Sequence, residues 1–213
     1  MIRLQKIEIP LSLQEHKDQW TTELMEYVNR GEKVPDNIKN KYNQEDVKEQ
    51  LKKETHGKCM YCESFIGTIA YEHIEHYKPK KIYPLLTFEW SNLGLACPKC
   101  NTNKHDEFDE ACPFINPYID NPSDHFISAG TMILSKSNDK RAKITELKLD
   151  LNRPELLESR KERINSVRLL VDLYASETND SLKNLLFKEI QKEISEDKPY
   201  SMCAKAIVRQ LIP

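Results

Sequence analysis

Hydrophobic and polar positions change their spacing several times along this chain. From residue 11 to residue 30, apolar residues recur at near-helical intervals. Leu13, Trp20, Leu24 and Val28 mark one face, and Gly31 stands where a helix would end. A polar link follows over residues 32–44. The stretch QEDVKEQLKKETHGK predicts a second helix that stops at Gly57, with Glu45 and Asp46 in its first turn and Lys52 and Lys53 late in it. Periodicity then gives way to a segment dense in Cys, His and Asn, residues 58–105. Residues 112–126 carry Pro113, Pro117 and Pro122 without a period and predict a loop lying across another part of the chain. GTMILSKSNDKRAKITELKLDL, residues 130–151, alternates and predicts a hairpin with Ser137–Asp139 as its turn. After Asn152 the period is helical again. Ile164, Val167, Leu170 and Tyr174 form one stripe and Leu182, Leu186, Ile190 and Ile194 another, with a short helix after Pro199.

These patterns predict an α+β chain in which a small site module is embedded in a mainly helical protein. The expected division is an N-terminal helical segment, 1–57, the module, 58–127, and a hairpin with C-terminal helices, 128–213, packed on the module or docking a partner. No internal repeat or low-complexity segment is visible.

Composition narrows the function classes. The chain has 213 residues, 31% of them charged, and a formal net charge of -2. Its mean hydropathy is -0.68 and its pI about 6.3. A strongly basic balance is absent, so any grip on nucleic acid must come from local basic groups or from a partner. No signal peptide and no membrane-length apolar run is apparent, which predicts a cytoplasmic location. In that reducing compartment, six cysteines point to metal ligands or buried thiols rather than disulfides.

CMYC supplies Cys59 and Cys62, and CPKC supplies Cys97 and Cys100. A CxxC turn lets two sulfurs bind one ion while turn amides point at them, and two such turns complete a tetrahedron. A structural Zn²⁺ held by four cysteines is the expectation. Such a site has no open position, so it should fold the chain rather than catalyse. Cys112 and Cys203 read as small buried residues.

The loop closed by that ion contains EHIEHYKPKKIYPLLTFEWSNLGLA and is followed by NTNKH. Glu72, His73, Glu75, His76, Asn92, Asn101 and His105 are thereby gathered. A carboxylate and an amide oxygen are hard ligands for Mg²⁺ or a similar ion, and a neutral imidazole can take a proton from water. Together they suit phosphodiester hydrolysis.

EHYKP, the later Asn and CPKCN followed by Lys104 resemble the ββα-metal core of HNH endonucleases. His76, Pro79, Asn92, Cys97, Cys100, Asn101 and Lys104 fit the family's order, with Asn101 in place of the final His. GKCMYCE, IEHYKPK, EWSNLGLACPKCN, PFINPYIDNPSDH and LNRPELLESR further resemble the HNH nuclease subunit of bacterial Septu-type anti-phage systems, over about residues 44–165. The resemblance implies a zinc-clipped ββα-metal module, DNA as substrate and an ATPase partner subunit in a hetero-oligomer; the lack of a membrane-length apolar run predicts no membrane association.

Within that resemblance, the offsets to Pro79 and Asn92 select Glu75–His76 over Glu72–His73. Glu75 is then the expected ligand of a catalytic Mg²⁺ or Mn²⁺, together with Asn101, and His76 the general base. His76 also reads as an ordinary hydrogen-bonded histidine. His73, two residues from Glu75 on a strand, reads as a supporting or surface residue. Asn92 is expected to brace the loop behind the base. His105 is open between a third ligand and a helix-face histidine. Lys78, Lys80 and Lys81, with Lys99 and Lys104, are candidates for backbone phosphates, or otherwise a solvated charge run. The competing function is a zinc-stabilised adaptor that binds nucleic acid or protein without cutting.

Overall fold

The first predicted helix, α1, spans Leu11–Asn29 and buries Leu13 and Leu24. It ends as its sequence dictates: Gly31 takes φ +67, and the Glu32 amide reaches back to the Tyr27 carbonyl at 3.0 Å. Here a computed structural model describes residues 1–67 and 72–212. A one-turn helix, α2 (Asp36–Lys39), leads to α3 (Glu45–Thr55), which buries Val47 and Leu51. Asp46 in its first turn accepts hydrogen bonds from the Ser12 amide and hydroxyl, tying α3 to α1.

The module that follows is small and built around a hairpin. Strand β1 (His73–His76) pairs antiparallel with β2 (Leu93–Ala96), with Glu75 opposite Gly94 and His76 opposite Leu93. Every residue of β2 is buried, so its apolar run carries no alternation. Helix α4 (Pro98–Lys104) follows directly, with Cys97 as its N-cap and Pro98 at its first position. The Cys59–Cys62 turn docks on β2 through the Met60 amide and the Leu95 carbonyl, 2.8 Å apart. A Cβ at Gly94 would overlap the Met60 sulfur, so glycine there leaves room for this turn to press onto the hairpin. This is the ββα arrangement expected from the HNH resemblance, inside a mainly helical chain. Phe88 and Trp90 lie in its core.

The proline-rich loop lies along a later helix. Arg141 donates to the Pro113 and Phe114 carbonyls and forks onto Asp120. After a short α5 (Pro122–His125), a hairpin forms, but not where alternation placed it. Its strands are β3 (Phe126–Ala129) and β4 (Met132–Ser135), turning at Gly130 with φ +61. The expected second strand is instead a helix, α6 (Lys140–Lys148). Asp139 is not a hairpin turn residue. It caps α6 by accepting from the Ala142 amide at 2.8 Å. Ala142, Thr145, Glu146 and Leu149 are buried, a helical period that tertiary burial selects over the alternating one.

The C-terminal helices are α7 (Pro154–Ser176), α8 (Asp180–Glu193) and α9 (Ser201–Leu211). Val167, Val171, Ile190, Ala204 and Val208 form their own small core, with Leu170, Tyr174 and Ile194 against it. Leu182, expected in the α8 stripe, is half exposed. The main core runs from the N-terminal residues through the module to Leu156 and Cys203. Cys112, read as buried, is partly exposed.

Candidate active site

The four cysteines converge. Their sulfurs all lie within 4.8 Å of one another, and among the described residues no other group of three or more His, Cys, Asp or Glu side chains does so. Tetrahedral Zn–S bonds of about 2.3 Å require sulfurs about 3.8 Å apart. Cys62 and Cys97, one from each turn, are separated by 3.8 Å. The Cys100 amide points at the Cys97 sulfur, 3.4 Å away. The donor set and its spacing fit Zn²⁺.

His76 ends β1 with its side chain buried, 8% exposed. Its Nε2 lies 2.9 Å from the Thr87 carbonyl oxygen. A carbonyl only accepts, so Nε2 carries the proton and Nδ1 the lone pair. Burial pushes the imidazole down to about 3, with the Thr87 hydrogen bond opposing, so the ring is neutral at physiological pH. The Tyr42 ring packs perpendicular to it, with centroids 4.5 Å apart. The sequence offered no signal for Tyr42, which reaches His76 from the N-terminal segment.

Asn92 stands behind this ring. Its Oδ1 accepts from the Lys78 amide at 2.8 Å, and its Nδ2 donates to the Lys78 and Leu86 carbonyls at 3.0 and 3.1 Å. These bonds close the loop between β1 and β2 that also presents Thr87 to His76. Replacing Asn92 with Ala leaves buried backbone groups unpaired and should cost on the order of 2–3 kcal/mol. Urea unfolding of the zinc-loaded variant measures this.

Glu75 faces away from His76, as strand alternation requires. It is 3% exposed, and the ammonium of Lys104, itself 1% exposed, lies 2.6 Å from its Oε1. Lys104 also donates to the His76 carbonyl at 2.9 Å. Burial pushes the Glu75 carboxyl up to about 7, against the pull of Lys104 and the Tyr61 hydroxyl. Asn101 turns its amide nitrogen toward His73 Nδ1, 2.9 Å away. His73 therefore meets the helix directly.

Lys104 pairs with one oxygen of Glu75, Oε1, and Asn101 meets His73 through its Nδ2, so an ion seated on these two residues would compete with Lys104 for the carboxylate. His105 closes α4 at a positive φ of 49, with its side chain 75% exposed and near Asp106. The expected substrate lysines divide as well. Lys104 is corrected from phosphate contact to a buried ion pair. Lys80 bonds the Tyr42 hydroxyl at 2.8 Å, and Lys78 lies near Tyr83, Phe108 and Glu110. Lys81 is open to solvent, 3.9 Å from Asp106. Lys99 is exposed.

Hairpin, helix and paired cysteine turns define the class. Residues 59–107 match the family model described as HNH endonuclease. The particular relatives are two proteins named Septu protein PtuB. One, from Bacillus mycoides (strain KBAB4), is 32% identical over 163 residues, covering 60% of this chain and 54% of the relative. The other, from Bacillus thuringiensis, is 34% identical over 112 residues, covering 52% and 43%. The chain spans about half the length of the curated relatives it matches. Among the described residues, no helix is long and apolar enough to cross a membrane.

Proposed function

We propose that the chain is an HNH endonuclease that hydrolyses DNA phosphodiesters, acting as the nuclease subunit of an anti-phage defence complex with an ATPase. The observation that carries this reading is His76: a neutral imidazole whose tautomer is set by the Thr87 carbonyl, on a hairpin braced by Asn92. His76 Nδ1 takes a proton from water. The water oxygen bonds to phosphorus as the bond to the leaving oxygen breaks. The general base role predicts that His76 cannot be replaced without loss of rate.

Mg²⁺ or Mn²⁺, when bound, would supply positive charge at the phosphate. Seating it on Glu75 and Asn101 sets it in competition with Lys104 for the carboxylate, while the His76 half needs no such exchange. Lys78, Lys80 and Lys81 remain the proposed phosphate contacts. DNA and the ATPase rest on the Septu resemblance, and the cytoplasmic setting on the sequence's lack of a recognisable signal peptide or membrane-length apolar run. Exposed Leu169 and Leu173 on α7, and Leu182 and Leu185 on α8, offer apolar surface to a partner subunit.

The closed Glu75–Lys104 pair favours one alternative, a non-catalytic zinc-stabilised adaptor that binds nucleic acid or protein. Incubation with supercoiled plasmid and with RNA, in Mg²⁺ or Mn²⁺ and with any co-encoded ATPase, separates the two. Nicking or cutting of plasmid but not RNA supports the proposal. Binding without strand breakage supports the adaptor.

A further inference from the structure

Arg153 is buried, yet no carboxylate lies within ion-pair reach of it among the described residues. What its guanidinium faces is sulfur. Nη1 lies 3.7 Å from Cys100 Sγ, and Nη2 lies 3.8 Å from both Cys62 Sγ and Cys97 Sγ. Nη1 also donates to the Asp150 carbonyl at 3.1 Å. A buried, permanently charged group needs counter-charge. Thiols would not supply it, whereas metal-bound thiolates would.

The backbone is shaped to deliver this side chain. Asp150 adopts φ +49 after α6, and Pro154 begins α7 at its first position. Between them, Arg153 is held with its amide on the Asp150 carbonyl at 3.2 Å. The turn between α6 and α7 therefore sends one cation into the cysteine cluster, contacting both CxxC turns at once.

We propose that Arg153 is the positioning residue of the zinc centre. It neutralises part of the dianionic charge that four thiolates leave on a Zn²⁺ ion, orients three of them through N–H···S bonds, and locks the α6–α7 junction onto the nuclease module. Groups that orient metal ligands typically contribute 10–100-fold to metal affinity. The inference rests on the cysteine cluster holding zinc, and is independent of whether the chain cuts DNA.

The test uses the full chain, loaded with zinc or with Co²⁺ as a spectroscopic substitute. Arg153→Gln should speed zinc loss to a competing chelator by about 10–100-fold. It should also shift the thiolate-to-cobalt charge-transfer bands, because the N–H···S bonds are gone. Arg153→Lys keeps the charge without the fork and should fall between the two, and it serves if the Gln variant does not fold. A residue that only packed would lower stability without moving those bands. Unchanged bands and unchanged zinc loss in the folded variant would overturn the proposal. Failure of the wild type to take up zinc or cobalt would instead refute the metal centre itself.

Discussion

Cys97→Ser is expected to strip the zinc and melt the module around it. The substitution replaces a thiolate with a hydroxyl that binds Zn²⁺ poorly at neutral pH. Cys97 is also the N-cap of α4, and α4 has seven residues, too few to persist on helix propensity alone. The hairpin it packs on has four residues per strand. A two-stranded sheet of that size is marginal without support. Structural zinc contributes on the order of 10–16 kcal/mol in isolated fingers. The main core supplies part of the support here, so loss of a cooperative thermal transition for the module is expected rather than complete unfolding. Zinc analysis and calorimetry check this, and His76→Ala should keep its zinc.

Lys104→Met is expected to destabilise the chain on the order of 3–5 kcal/mol near pH 8, because it leaves a buried carboxylate without its cation. The cost should shrink toward pH 5. The folded-state pKa of Glu75 is raised, so its contribution is fully present below the unfolded value of 4.5 and is lost as pH rises through about 7. Removing Lys104 removes the main group holding that value down and so widens the loss at alkaline pH. Urea unfolding at pH 5.5 and 8 measures the difference. Glu75→Gln combined with Lys104→Met should recover most of the loss at pH 8.

Much of the scaffold was legible because its burial is periodic. Leu13 and Leu24 on α1, and Val167 on α7, stand at helical intervals on faces that are in fact buried, whereas Leu170 and Tyr174 of the expected α7 stripe are only half-buried and Val171 beside them is covered instead. Helix α6 was not legible. Leu147 faces solvent while Thr145 and Glu146 are covered, so side-chain polarity does not report which face is inside. In the site, the paired CxxC turns could be read because a four-cysteine centre depends on spacing along the chain, and the offset from His76 to Asn92 was legible through the HNH resemblance. The partners of Glu75, Asn101 and Arg153 could not. A lysine 1% exposed against a carboxylate, or an arginine against sulfur, is set by packing between elements distant in sequence and leaves no local pattern. His73 read as either a supporting or a surface residue, and its contact with Asn101, from α4 running alongside β1, is of the supporting kind.

The central claim is that His76 is the base of a phosphodiester hydrolase. Its most direct test compares wild type and His76→Ala, matched for zinc content, on supercoiled plasmid with Mg²⁺ or Mn²⁺ and the partner ATPase where one is co-encoded. General-base loss should slow strand cleavage by about 10²–10⁴-fold while fold and zinc remain. Equal cleavage by the two proteins would contradict the assignment.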